Sequence, residues 1–105
     1  MTTQSWQPPT TRTAIVENYL HTSFPGAAVT LMQFPDGSWG FAVDVYMGSR
    51  LILILEPGCW RDGTDTELGE TLSFMRIDNE MATKRSLRLL RIVEGPSEVS
   101  YRVRP

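Results

Sequence analysis

Apolar side chains crowd into three segments, 27–34, 39–47 and 50–56, separated by two short polar breaks. The first break, Phe34-Pro35-Asp36-Gly37-Ser38-Trp39, combines a proline of preset φ, an aspartate acceptor and a permissive glycine, so 27–34 is expected to double back on 39–47. The second, Gly48-Ser49, reads as a two-residue turn that sets Met47 opposite Arg50. Counting outward with period two puts Thr30, Met32, Phe34, Trp39, Phe41, Val43, Val45, Met47, Ile52 and Ile54 on one face, with Arg50 and Glu56 at its ends. The other face takes Val29, Leu31, Gln33, Gly40, Ala42, Asp44, Tyr46, Leu51, Leu53 and Leu55. Both faces are apolar, and such a sheet must hide its second face against a helix or another protein. The small Gly40 and Ala42 assign their face to the chain's own helices, which leaves the tryptophan-bearing face for a partner.

Flanking this ribbon, 10–22 reads as a helix, because Ile15, Val16, Tyr19, Leu20 and then Phe24 recur at helical spacing before Phe24-Pro25-Gly26 stops it. From 70 to 94 there is neither Gly nor Pro, which allows one long helix. A strand over 71–77, a break at Asp78-Asn79 and a helix over 79–93 is the preferred division. In that helix Ala82, Ser86, Leu87, Leu89, Leu90 and Val93 share one arc, and Lys84, Arg85, Arg88 and Arg91 lie opposite together with Met81 and Ile92. Gly95-Pro96 ends it, and 98–104 alternates as a half-exposed strand. The expected fold is α+β, an antiparallel sheet of four to five strands packed against two helices in the order α-β-β-β-(β)-α-β. Residues 1–9 are expected to be a flexible N-terminal tail and 10–105 a single domain.

With 41% hydrophobic and 21% charged residues, the composition is that of a soluble globular domain. One cysteine excludes an intrachain disulfide and a cysteine-rich zinc site, which points to a reducing, cytoplasmic setting. No apolar run is long enough for a membrane span, and no signal-peptide pattern opens the chain. Charge is uneven: residues 1–75 hold three basic and eight acidic side chains, a net −5, and residues 76–105 hold seven and four, a net +3. Such a dipole can steer a charged partner or pair one subunit with another.

No motif carries chemistry. The acids Asp62, Asp65, Glu67 and Glu70 do not fit the ligand spacing of a calcium loop and read as solvated. Cys59 beside Trp60 reads as a structural thiol, and His21 as a surface residue. Asp44, a carboxylate within an apolar strand, needs a partner, read as a tyrosine or an arginine of the second helix, or else is a buried functional acid. No catalytic set, metal site or cofactor site is expected. Two readings follow. The first is a small non-enzymatic interaction module (adaptor, inhibitor, immunity factor or chaperone-like) that meets another protein or itself, as a homodimer, through Trp39, Phe41, Val43, Met47 and Ile54 with Arg50 and Glu56 at the rim. The alternative is a binder of nucleic acid or an anionic ligand that uses Lys84, Arg85, Arg88, Arg91, Arg102 and Arg104, against which a pI near 5.3 weighs. The interaction reading loses its footing if the chain's own elements fully seal the tryptophan-bearing face.

Overall fold

Pro35 and Asp36 make the turn expected of them, and the details of that turn fix everything downstream. In the computed structural model, which describes residues 6–105 apart from the side chain of Met47, the Phe34 N–H donates to Ser38 O at 2.8 Å and the Gly37 N–H to Phe34 O at 2.8 Å. Gly37 sits at φ +89°, the left-handed position of a three-residue hairpin loop with a glycine bulge. Strands β1 (Ala28–Gln33) and β2 (Trp39–Asp44) therefore pair with Gln33 opposite Trp39, one residue out of step with the expected face assignment. A second slip occurs at the next turn. A short 3-10 turn at Tyr46–Gly48 replaces the two-residue hairpin, and Asp44 rather than Met47 stands opposite Arg50 at the start of β3 (Arg50–Leu55).

Both slips are odd numbers of residues, and an odd slip moves a strand's side chains to the other face relative to its neighbour. Trp39, Phe41 and Val43 consequently share a face with Leu51, Leu53 and Leu55, and not with Ile52 and Ile54. That face is the one the helices cover. Phe41, Val43, Leu53 and Leu55 are all 0% exposed and pack with Val16, Leu20, Leu68, Leu72, Ile77 and Met81. Gly40 and Ala42 lie on the opposite face. Gly40 is small for a different reason than helix approach: a Cβ there would fall 2.1 Å from the backbone oxygen of Leu53 on the adjacent strand.

After β3 the chain runs through three helices and returns parallel to β3. Helix α1 (Thr10–Ser23) precedes the sheet; α2 (Pro57–Arg61), α3 (Asp65–Phe74) and α4 (Ile77–Lys84) form the crossover; β4 (Ser86–Val93) and β5 (Val99–Arg104) close the sheet. Strand order is β1-β2-β3-β4-β5, antiparallel except for the β3–β4 pair. The class is α+β as expected, with a mixed sheet and four helices in place of an antiparallel sheet and two.

The expected strand over 71–77 is helix α3 and its end, and the expected helix over 79–93 is mostly strand β4. Two local signals decide this. Thr64 caps α3, its hydroxyl accepting the Glu67 N–H at 3.0 Å, so the helix begins before the proposed strand. The stops around α4 are Arg76 at φ +52° and Arg85 at φ +67°, arginines where a glycine would have announced the break. In β4, Leu87 and Leu89 enter the core while Arg91 shares their face, and the charge is tolerated there because Glu67 and Tyr101 receive it.

Long-range polar contacts lock the helical layer. Arg12 of α1, only 8% exposed, donates to the backbone oxygens of Cys59, Asp62 and Gly63 and to Asp65 Oδ1 at 2.6 Å. Tyr19 Oη donates to Asp78 Oδ1 at 2.8 Å and accepts the Asp78 N–H at 3.0 Å, joining α1 to the first turn of α4. Trp60 Nε1 donates to Trp39 O, and its ring meets Phe41 at 6.4 Å between centroids. Of the expected tail, residues 1–5 lie outside the described residues; Trp6 takes the Trp39 indole N–H on its carbonyl and stacks under Arg61 at 4.6 Å.

Candidate partner-binding face

All four helices lie on one side of the sheet, and among the described residues nothing covers the other side. Alternation puts Thr30 and Met32 of β1, Gly40, Ala42 and Asp44 of β2, and Arg50, Ile52 and Ile54 of β3 on that open face. Ser86, Arg88, Leu90 and Ile92 of β4, with Ser100, Arg102 and Arg104 of β5, complete it. Its centre is apolar: Met32, Ile52, Leu90 and Ile92 are half-buried, and Ile54 is 8% exposed beside the stem of Arg88.

Ion pairs rim this centre. Asp44 and Arg50, directly opposite on β2 and β3, make a two-pronged contact at 2.8 and 3.2 Å. The pair holds the Asp44 carboxyl below its usual range and raises the Arg50 guanidinium above its own. Asp44 thus has the arginine partner its position demands, from the adjacent strand rather than a helix. Arg88 reaches Glu56 Oε1 at 3.2 Å, Asp36 Oδ2 at 3.1 Å and the Ser38 hydroxyl. Asp36 is held below its usual range, first by the Ser38 backbone N–H and then by Arg88. Arg102 approaches Glu94 at 3.7 Å with its side chain 66% exposed, and Arg104, opposite Arg88, is exposed.

The expected partner residues are divided by the two register slips. Ile54 and Arg50 are on the open face, Glu56 stands at its rim, and the Met47 side chain lies outside the described residues. Phe41 and Val43 are sealed in the core, and Trp39 faces the helices half-buried; none of the three is on the open face. The basic set is divided too. Arg88, Arg102 and Arg104 share the open face, Lys84 and Arg85 end α4, and Arg91 points to the helical side. There Arg91 donates to Glu67 Oε2 and Tyr101 Oη, and Tyr101 donates to the same carboxylate. Those contacts lower the Glu67 carboxyl, and burial, with Glu67 second, pushes the Tyr101 hydroxyl up to about 12. Leu90 and Ile92 were missed, and the alternation of 86–93 was the signal available for them.

Elsewhere the chemistry is muted. Cys59 is 1% exposed, burial pushes its thiol up to about 12, and its Sγ lies 3.4 Å from Leu89 O. A shallow groove of about 690 Å³ between α3 and β5 is walled by Phe74, Met75 and Tyr101, but its Glu67 is already taken by Arg91. Among the described residues no three His, Cys, Asp or Glu side chains gather into a metal site, and no helix is long and apolar enough to cross a membrane. Comparison with family models, curated proteins and solved structures found no match for this chain.

Proposed function

We propose that this protein is a small non-enzymatic interaction module that docks a partner protein on the open face of its sheet and works as a homodimer. The observation that carries the reading is the one-sided helical layer, which leaves Met32, Ile52, Leu90 and Ile92 only half-buried on the far face of the sheet, where no helix lies among the described residues. An apolar centre ringed by ion pairs is the anatomy of a protein interface. Charge selects the occupant. Arg102 and Arg104 extend the face along β5 with little neutralisation, so the partner that fits is an apolar strip flanked by carboxylates on that side. The cytoplasm is part of the proposal, on the ground of a single free cysteine.

The test is selection from a displayed peptide library on the immobilised protein. Apolar, acid-flanked ligands are expected, with affinity falling at least about tenfold for Leu90→Asp and several-fold for Arg102→Gln with Arg104→Gln. Ligands that bind Leu90→Asp as well as the wild type defeat the proposal. Salt-dependent binding of a DNA or RNA duplex, lost in the double arginine variant, replaces it with the anion-binding reading.

A further inference from the structure

We propose that two copies of the chain join edge to edge through β1, making one continuous ten-stranded sheet with a two-fold axis beside Leu31. This rests on the homodimer reading above and not on what occupies the open face. The Phe34 N–H to Ser38 O bond marks 34/38 as a hydrogen-bonded pair, and antiparallel ladders alternate. Met32/Gly40, Thr30/Ala42 and Ala28/Asp44 are then the bonded pairs, and the backbone N–H and C=O groups of Val29, Leu31 and Gln33 point away from β2. Among the described residues no strand lies on that outer side. Leu31 is 37% exposed beside these groups.

The two edges of the sheet differ in how they are guarded. β5 carries Arg102 and Arg104 and runs into Pro105, whereas Ala28–Gln33 contains no charge and no proline. Charged and proline-bearing edges resist pairing, and an uncharged one invites it. Charge also selects the occupant: β1 against β1 of a second copy brings no like charges together, while β5 against β5 sets arginines against arginines. A β1-to-β5 contact would leave free ends and chain copies without limit; the antiparallel β1 pair closes on itself, as isologous dimers do. The joined sheet keeps every helix on one side and merges the two open faces into one surface.

The experiment combines sedimentation equilibrium with residue-resolved amide exchange on the intact chain. A dimer is expected that loses at least about tenfold in association with Leu31→Lys and keeps it with Leu90→Asp. Amides of Val29, Leu31 and Gln33 should gain protection with protein concentration, while those of Thr30 and Met32 are protected at every concentration. A dimer that survives Leu31→Lys but falls apart with Leu90→Asp, or whose Val29, Leu31 and Gln33 amides exchange freely, overturns the edge and leaves the homodimer standing on the open face. A wild type monomeric throughout overturns the homodimer and this edge together, with peptide docking on the open face still to be judged by its own assay. The exchange measurement needs no variant, so a misfolded Leu31→Lys does not decide the matter.

Discussion

Replacing Arg12 with Met keeps an apolar stem and deletes the guanidinium. The loss falls on the acceptors it serves. Helix α2 has five residues and ends with carbonyls that no further turn satisfies, and Arg12 supplies donors to Cys59 O at 3.2 Å, to Asp62 O at 2.9 Å and to Gly63 O. Cys59 is buried, so its oxygen left without a partner costs about 1–3 kcal/mol. Asp62 and Gly63 are exposed, water can replace the arginine there, and each contributes about 0.5–1 kcal/mol. The Asp65 carboxylate is 50% exposed, so the ion pair itself is worth under about 1 kcal/mol. Together these put Arg12→Met at about 2–6 kcal/mol, a large share of the roughly 5–15 kcal/mol typical of a domain this size. Urea unfolding followed by tryptophan fluorescence measures it, with Asp65→Asn as the control at under about 1 kcal/mol. If Arg12→Met stays within about 1 kcal/mol of the wild type, or Asp65→Asn costs as much, the carbonyls are not what Arg12 holds.

Lowered carboxylates set the acid limit. Glu67 contributes stability above its ordinary 4.5 that is lost as pH falls through its depressed folded value, so Glu67→Gln should flatten the acid decline, with Asp36 and Asp44 supplying the remainder; an unchanged acid profile refutes this. The raised thiol acts at the other end: stability from Cys59 is full below 9.0 and declines as pH rises towards about 12, Tyr101 joining above 10.0, so Cys59→Ala should flatten the decline between 9 and 10. At neutral pH a maleimide should label Cys59 only after unfolding, and rapid labelling of the native protein would contradict its burial. Gly40→Ala drives a Cβ into the Leu53 oxygen and should cost about 3 kcal/mol in urea unfolding; a variant as stable as the wild type means the two strands are not this close. Arg85→Gly relieves a positive φ and should raise stability by about 0.5–1 kcal/mol, seen as a higher melting temperature.

Much of the chain was legible because its local signals are strong. Helix α1, the Pro35-Asp36-Gly37 turn, three successive strands and the last strand were all readable from spacing and turn residues. The face assignment was not, because it depends on whether a turn holds an odd or even number of residues. A glycine bulge at Gly37 and a 3-10 turn after Val45 each shifted that parity, and polar turn residues do not reveal it. The crossover was misread because its breaks use Arg76 and Arg85, and because leucines at 87, 89 and 90 suit a helix wheel as well as a strand. Arg12 drew no attention, since nothing in its neighbourhood tells a buried arginine from a solvated one.

The presence of apolar residues on both faces survives both register slips, and the reason is arithmetic. Shifting a strand by an odd number exchanges which residues face the helices without changing how many faces there are or how many apolar residues the strand owns. β3 brings Leu51, Leu53 and Leu55 to one side and Ile52 and Ile54 to the other in any register, and only one side can meet the helical layer. What register decides is the character of the remaining face. As folded, Phe41 and Trp60 fill the core with Trp39 half-buried against it, while the open face is aliphatic and mixed with arginine, aspartate and glutamate. An aliphatic face with paired charges at its rim is more compatible with a stable free protein than an aromatic one, since the charged groups limit the size of the contiguous apolar patch. On the proposed function such a face suits a partner protein, and the proposed self-association is better formed where backbone groups are already waiting, along the uncharged edge of β1.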